Sequence, residues 1–344
     1  MTGAVGCSRA ERQSLASTVA SRQCEGMLTG PLRSRLIGSV TALAEEIDGG
    51  RRRRQAGDGK LPKPHPFLKW LGGKGRLLEQ FENLLPPTFD RYFEPFFGGG
   101  AMFFSLTPPR AVLSDVNAEL VDCYSAVRDS VENVIAALGD HRYEKAHFYE
   151  VRALDPRALT LPERAARTIF LNRAGFNGLY RVNRQGRFNV PFGRYTNPTL
   201  CDASNLRACS RALEGVEFLC GDFAAAVATV KRGDFVYFDP PYVPVSTTAN
   251  FTHYAAGRFD WGEQERLAKL FAELSRRGVL VMLSNADTTE VRDLFNGFKI
   301  ERVAARRSVN SNPEKRGKVG EVVVRNFGAG TRQTNGALVH RRGR

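Results

Sequence analysis

Apolar and polar positions change their period several times along the chain, and the changes mark out its elements. From Pro66 onward, Leu77, Leu78, Phe81, Leu84 and Leu85 recur on one helical face. Arg91–Phe97 predicts a short strand that runs into Gly98-Gly99-Gly100, after which Ala101–Leu106 starts a helix. Ala111–Asp115 predicts a second strand that ends in an acid. Between about 125 and 215 this αβ rhythm stops. Helical spacing runs through Val131–Leu138, His147–Leu154 and Glu163–Asn172, and Asn172–Tyr195 then mixes Gly, Asn, Arg and aromatics around a hairpin turn near Asn183–Gly186. The rhythm resumes with strands at Val216–Phe223 and Phe235–Phe238, a helix at Glu263–Arg276 and a buried strand at Gly278–Leu283. Ile300–Arg307 and Glu321–Arg325 predict a closing strand pair joined by the basic, polar Ser308–Gly320.

Strands alternating with helices predict an α/β fold with a Rossmann-like mixed sheet. Residues 61–124 and 216–327 supply its catalytic part, and residues 125–215 form an inserted, mostly helical domain carrying a hairpin. Residues 1–60 read as a disordered N-terminal extension and residues 328–344 as a disordered basic tail. The stretch Val243–Asp260 reads as a loop that covers a site.

Composition narrows the partner. The chain has 344 residues and a net charge of +14, which favours a polyanion. The charge is concentrated: Glu163–Val216 holds nine Arg and three acids. No transmembrane run or signal peptide is apparent, so a cytoplasmic protein without membrane contact is expected, as a monomer. The six cysteines form no C-x-x-C pair, so neither a zinc site nor a disulfide framework is expected, and no metal is assigned.

The chemistry centres on Val236-Tyr237-Phe238-Asp239-Pro240-Pro241-Tyr242. Proline cannot donate to a ladder and pushes the preceding residue toward extended geometry. The Asp239 carboxylate and the Pro240 carbonyl should therefore project just past the carboxyl end of a strand, where open α/β sheets bind ligands. Two acceptors beside the Tyr242 ring suit a flat base with an exocyclic amine, although these residues alone also fit an ordinary strand-end turn. Gly72-Gly73 lets backbone approach a ligand, Lys74 suits a carboxylate, and Trp70 offers a stacking face. The glycine turn at 98–100, with Asp115 about 20 residues on, follows dinucleotide-binding logic, in which the acid meets a ribose hydroxyl. Capping of the next helix is the other role open to Asp115.

In order along Phe67–Asn326, FLKWLGGK, EPFFGGG, LSDVNAEL, NRAGFNGLYRVNRQGRFNVPFGRY, GDF, DPPYVPVSTTANFTHY, LSN and RRSVN…RGKVGEVVV resemble the Dam-type (D12 class) DNA adenine-N6 methyltransferases. The resemblance departs at Leu71, where Ala is usual, at Phe176, where Tyr is frequent, and at Tyr180, which replaces a smaller residue. It implies a methyltransferase fold, S-adenosylmethionine (SAM) as cosubstrate, double-stranded DNA as partner and GATC as target. It implies that Trp70, Lys74, Asp115 and Asp239 contact SAM, and Asp222 and Phe223 are expected at its adenine. Asp239, Pro240 and Tyr242 are expected to grip and stack a flipped-out adenine. On the DNA side it points to Arg181 for guanine, Phe176 and Asn177 beside the vacated base position, Leu179 and Asn183 in the same segment, and Arg194 on a phosphate. The alternatives are another amino-methyltransferase (cytosine N4 in DNA or adenine in RNA), a catalytically silent DNA-binding regulator, and a nicotinamide-dinucleotide module.

Overall fold

In the computed structural model, Tyr92, Phe235 and Tyr237 point to one side of a central sheet, while Phe93, Val236 and Phe238 point to the other. All six are buried, as expected of central strands covered on both faces. The structure describes residues 62–242, 259–303 and 320–328. The expected extension at 1–60 and nearly all of the covering loop at 243–260, of the basic linker at 308–320 and of the tail at 328–344 lie outside the described residues.

The strands are β1 (Tyr92–Glu94), β2 (Ala111–Asp115), β3 (Glu217–Cys220), β4 (Phe235–Phe238), β5 (Leu280–Ala286), β6 (Lys299–Val303) and β7 (Glu321–Arg325). They form one seven-stranded sheet in the order β3-β2-β1-β4-β5-β7-β6. β3 through β5 run parallel, and β7 lies antiparallel between β5 and β6. The sheet is thus doubly wound and mixed, as predicted. Chain order reverses between β1 and β4, and the crevice past the carboxyl ends of those two strands is where such sheets take ligands.

The helices are α1 (Leu78–Glu82), α2 (Ala101–Leu106), α3 (Ala118–Gly139), α4 (Lys145–Ala153), α5 (Leu161–Ala174), α6 (Ala203–Ala212), α7 (Phe223–Ala226), α8 (Trp261–Arg276) and α9 (Thr289–Leu294). Local chemistry starts most of them. Asn117 caps α3, Asp202 caps α6 and Asp260 caps α8, each accepting a backbone N–H of the first turn. Glu163 accepts from Thr160 N–H at 2.8 Å at the start of α5, which also has a proline in its first turn. The helical face predicted from Leu77 gives only a single 3₁₀ turn (Lys74–Arg76) and the short α1, because Pro86 and Pro87 follow at once. α3 runs past residue 125 and is kinked at Ser130, which has non-helical backbone geometry. After it come α4, α5 and a loop-rich hairpin in which Val182 bridges Phe188 and Gly175 bridges Phe192. α6, α7 and α9 were not anticipated. α6 carries the clearest missed signal: an Asp202 cap ahead of Leu206 and Cys209, which face the core.

Candidate functional site: an acidic turn at the sheet's switch point

β4 ends at Phe238, and Asp239-Pro240-Pro241-Tyr242 leaves it at the crevice between β1 and β4. On the facing side, β1 ends at Glu94 and leads through Phe96 and Phe97 into the glycine turn. Gly98 (φ 50°) and Gly100 (φ 68°) are left-handed, and Gly100 caps α2, so the turn requires glycine at these two positions.

The acidic turn is braced by residues distant in sequence. Gln264 of α8, fully buried, donates to the Pro241 carbonyl at 3.1 Å and accepts from Asn285 Nδ2 of β5 at 3.0 Å. Tyr242 donates its hydroxyl to Glu321 Oε2 of β7 at 2.8 Å. Tyr237 and Ser284 share a buried hydrogen bond of 2.7 Å beneath the turn. None of Gln264, Asn285 and Glu321 is among the site residues expected from the sequence, although Asn285 closes the LSN motif of the resemblance.

Asp239 has 18% of its side chain exposed, and Lys74 Nζ lies 2.8 Å from its Oδ1. Burial pushes the Asp239 carboxyl up to about 6, against the pull of the Lys74 charge. The same ammonium donates to the Gly72 carbonyl at 2.7 Å and lies 4.7 Å above the Tyr242 ring. Lys74 therefore faces the acidic turn. Glu94, also buried, accepts from the Tyr92 hydroxyl at 2.8 Å; burial and the neighbouring Asp239 charge hold its carboxyl well above the usual range.

Asp115 does not cap α3; Asn117 does. Instead the Asp115 carboxylate accepts from Gly98 N–H and Asn117 N–H, each at 3.0 Å, and so ties the glycine turn to the end of β2. Burial raises its carboxyl, and those two backbone donors oppose the rise. Trp70 packs against the same turn, and its ring stacks on Tyr180 at 5.5 Å between centroids.

Asp222 caps α7 and is clamped by the Arg266 guanidinium, which also holds Glu263. Phe223 is buried, stacked on Phe96 at 5.4 Å, with the Arg266 guanidinium 4.0 Å over its ring. A flat ligand at Phe223 must share that ring with Arg266. These two residues lie past the end of β3, which β2 and β1 separate from β4.

In the inserted segment, Phe176 is 49% exposed, unusual for so large an apolar side chain. Asn177 next to it is exposed and left-handed (φ 54°). Arg181 is half-buried and pre-positioned: its guanidinium donates to Asn189 Oδ1 at 2.6 Å and to the Asn189 carbonyl at 3.1 Å. Arg194 is exposed. Asn183 spends its side-chain oxygen on the N–H groups of Gln185 and Arg187, which makes it a turn former. Leu179 is half-buried against the core, so little of it faces outward.

Among the described residues no group of three or more His, Cys, Asp or Glu is placed to hold a metal, and no helix is long and apolar enough to cross a membrane.

A family model described as D12 class N6 adenine-specific DNA methyltransferase matches residues 70–309. The chain is 41% identical over 271 residues to the Type II methyltransferase M1.LlaDCHI of Lactococcus lactis subsp. cremoris, covering 76% of this chain and 95% of that protein. It is 39% identical over 285 residues to the Type II methyltransferase M.MjaIII of Methanocaldococcus jannaschii, covering 76% and 99%. With the DNA adenine methylase of Escherichia coli K12 it shares 34% identity over 268 residues, covering 77% and 96%.

Proposed function

Because the chain belongs to the D12 class N6 adenine-specific DNA methyltransferases, we propose that it methylates N6 of an adenine flipped out of duplex DNA within GATC, with SAM as methyl donor. The observation that carries this is the position of Asp239-Pro240-Pro241-Tyr242: a half-buried carboxylate, a peptide carbonyl and an aromatic ring past the end of β4, across from the glycine turn after β1.

The residues present fit SAM. Acids stand at the ends of β2 and β4, Trp70 packs against the glycine turn after β1, and Phe223 offers a ring past the end of β3. Such a set suits a molecule with a ribose diol, an adenine and a positively charged sulfur. When bound, SAM supplies an electrophilic methyl group. Asp115 is the ribose acceptor, and Trp70, Lys74 and Asp239 complete the cofactor wall. Asp222 and Phe223 serve the cofactor adenine from the β3 side.

The protein's work is positioning and electrostatics. The adenine amine is a poor nucleophile because its lone pair is delocalised into the ring. Ionised Asp239 accepts one N6 hydrogen and the Pro240 carbonyl the other, which favours a more pyramidal, more nucleophilic nitrogen. Tyr242 stacks on the base and is kept upright by Glu321. Lys74 keeps Asp239 ionised. Gln264 holds the Pro241 carbonyl, which keeps the preceding carbonyl aimed at the amine. Base flipping is required because N6 lies inside the stacked duplex. Arg181 reads a guanine, Phe176 and Asn177 occupy the space left by the flipped base, and Arg194 holds a phosphate. Residues 125–215 serve as the target-recognition domain, and the enzyme acts in the cytoplasm as a monomer.

The test is transfer of label from methyl-labelled SAM to duplexes that contain GATC or single-base variants of it, with the modified base then mapped. Label on adenine N6 of GATC alone is the expected result. Label on cytosine, label only on RNA, or no transfer to any nucleic acid would overturn the proposal.

A further inference from the structure

Asn172, near the end of α5, is 1% exposed, and its carboxamide is spent on backbone groups. Its Oδ1 accepts from Lys69 N–H at 2.8 Å, while its Nδ2 donates to the Lys69 carbonyl at 2.8 Å and to the Gly178 carbonyl at 3.0 Å. A buried amide that closes both polar groups of one residue and reaches a second segment holds the two in fixed register. The neighbours repeat the connection. Arg173 Nε donates to the Phe67 carbonyl at 3.0 Å, and Trp70 stacks on Tyr180. The fit is close: a Cβ added to Gly178 (φ +60°) would lie 2.4 Å from Lys69 Cβ. On the far side of Trp70, a Cβ added to Gly98 would lie 2.8 Å from the indole Cδ1. Trp70 is thus held between the glycine turn after β1 and Tyr180. The turn that carries exposed Phe176 and Asn177 is fastened to the same backbone that places Trp70.

We propose that Asn172 is a positioning residue that couples the cofactor pocket to the target-reading turn at 176–178, so that cofactor and DNA strengthen each other's binding through this clip. The proposal rests on the methyltransferase assignment above. Asn172 touches neither ligand. Its role is to transmit the setting of Lys69 and Trp70 to Gly178, and by linkage the reverse.

The experiment uses the full-length protein and S-adenosylhomocysteine as probe, titrated calorimetrically alone and with a saturating duplex that carries the methylated site. Coupling of the usual size would tighten the probe about tenfold on DNA in the wild type. Asn172→Asp keeps the acceptor but loses both donated bonds, and Gly178→Ala pushes the turn off Lys69 with Asn172 intact. In each variant the ratio should fall to about twofold or less, with Kd for the probe alone far less affected. Variants that fold and keep the wild-type ratio would overturn the proposal, as would a wild type that methylates DNA yet shows no coupling. If neither variant folds, hydrogen exchange on the wild type decides. Probe alone should slow the amides of residues 176–181, and unchanged protection there would reject the clip. A wild type that transfers no methyl group to DNA would instead count against the methyltransferase assignment.

Discussion

The ammonium of Lys74 stands 2.8 Å from Asp239 Oδ1 and 4.7 Å above the Tyr242 ring, so one cation serves both ends of the acidic turn. Burial lifts the Asp239 carboxyl to about 6, and Lys74 is the group that keeps it from rising further. The proposed acceptor role needs the ionised form. Activity should therefore rise with pH, and kcat/KM for DNA should show an acid limb near about 6. Lys74→Met removes the opposing charge and should move that limb to higher pH. Asp239→Ala should lower kcat by about a hundredfold to a thousandfold without loss of fold, in line with the removal of one aimed polar group. A Lys74→Met profile with an unmoved limb would show that the ion pair does not set the titration.

Tyr242 separates stacking from hydrogen bonding. Its hydroxyl reaches Glu321 Oε2, and Glu321 is only half-buried, so water can replace the lost partner. Tyr242→Phe keeps the ring and should leave kcat within a few-fold of wild type. Tyr242→Ala removes the stacking face and should cost about 1–3 kcal/mol, read as a loss in kcat/KM. Equal losses in the two variants would place the function in the hydroxyl.

What could be read from the sequence was what is local. Asp239 at a strand end and the left-handed glycines before α2 follow from a few adjacent residues and their backbone preferences, whereas Phe176 is singled out only by the family resemblance. Pairings across long stretches of chain could not be read that way. Tyr242 meets Glu321 across 79 residues, Asn172 meets Lys69 across 103, and Gln264 reaches Pro241 only because α8 packs beside β4 and β5. Hydrophobic period fixes which face of an element is buried, and says little about which polar group meets which across the core. Asn183 is a further case: two backbone donors within the hairpin share its oxygen, a pairing that its residue type alone does not reveal.

Arg181 and Arg194 should differ in kind. Arg181 is held by Asn189, so its guanidinium is already oriented before DNA arrives. Arg181→Ala should cost about 1–3 kcal/mol on the cognate site and relax preference at one base position. Exposed Arg194, replaced by Ala, should weaken binding to all sequences alike and lower the salt dependence by about one ion. Methylation rates on the single-base variants of GATC, measured at several salt concentrations, would distinguish the two. Unchanged sequence preference in Arg181→Ala would remove it from base readout.

Glu94 gives a prediction about stability. Its carboxyl is buried against Tyr92 and near Asp239, and its affinity for a proton is raised well above that of the unfolded chain. The fold therefore retains a proton that the unfolded chain releases near about 4.3. The sign follows: this contribution is complete below the unfolded value and is lost as pH climbs toward the raised folded one. Glu94→Gln presents a neutral carbonyl oxygen to the same Tyr92 hydroxyl and has no proton to lose. Its Tm should fall less than that of the wild type as pH rises above about 5, and at about pH 8 the variant should melt higher. Thermal melts across that range decide the matter, and parallel curves for the two proteins would mean that Glu94 is ionised in the fold and stabilised by a partner other than its proton.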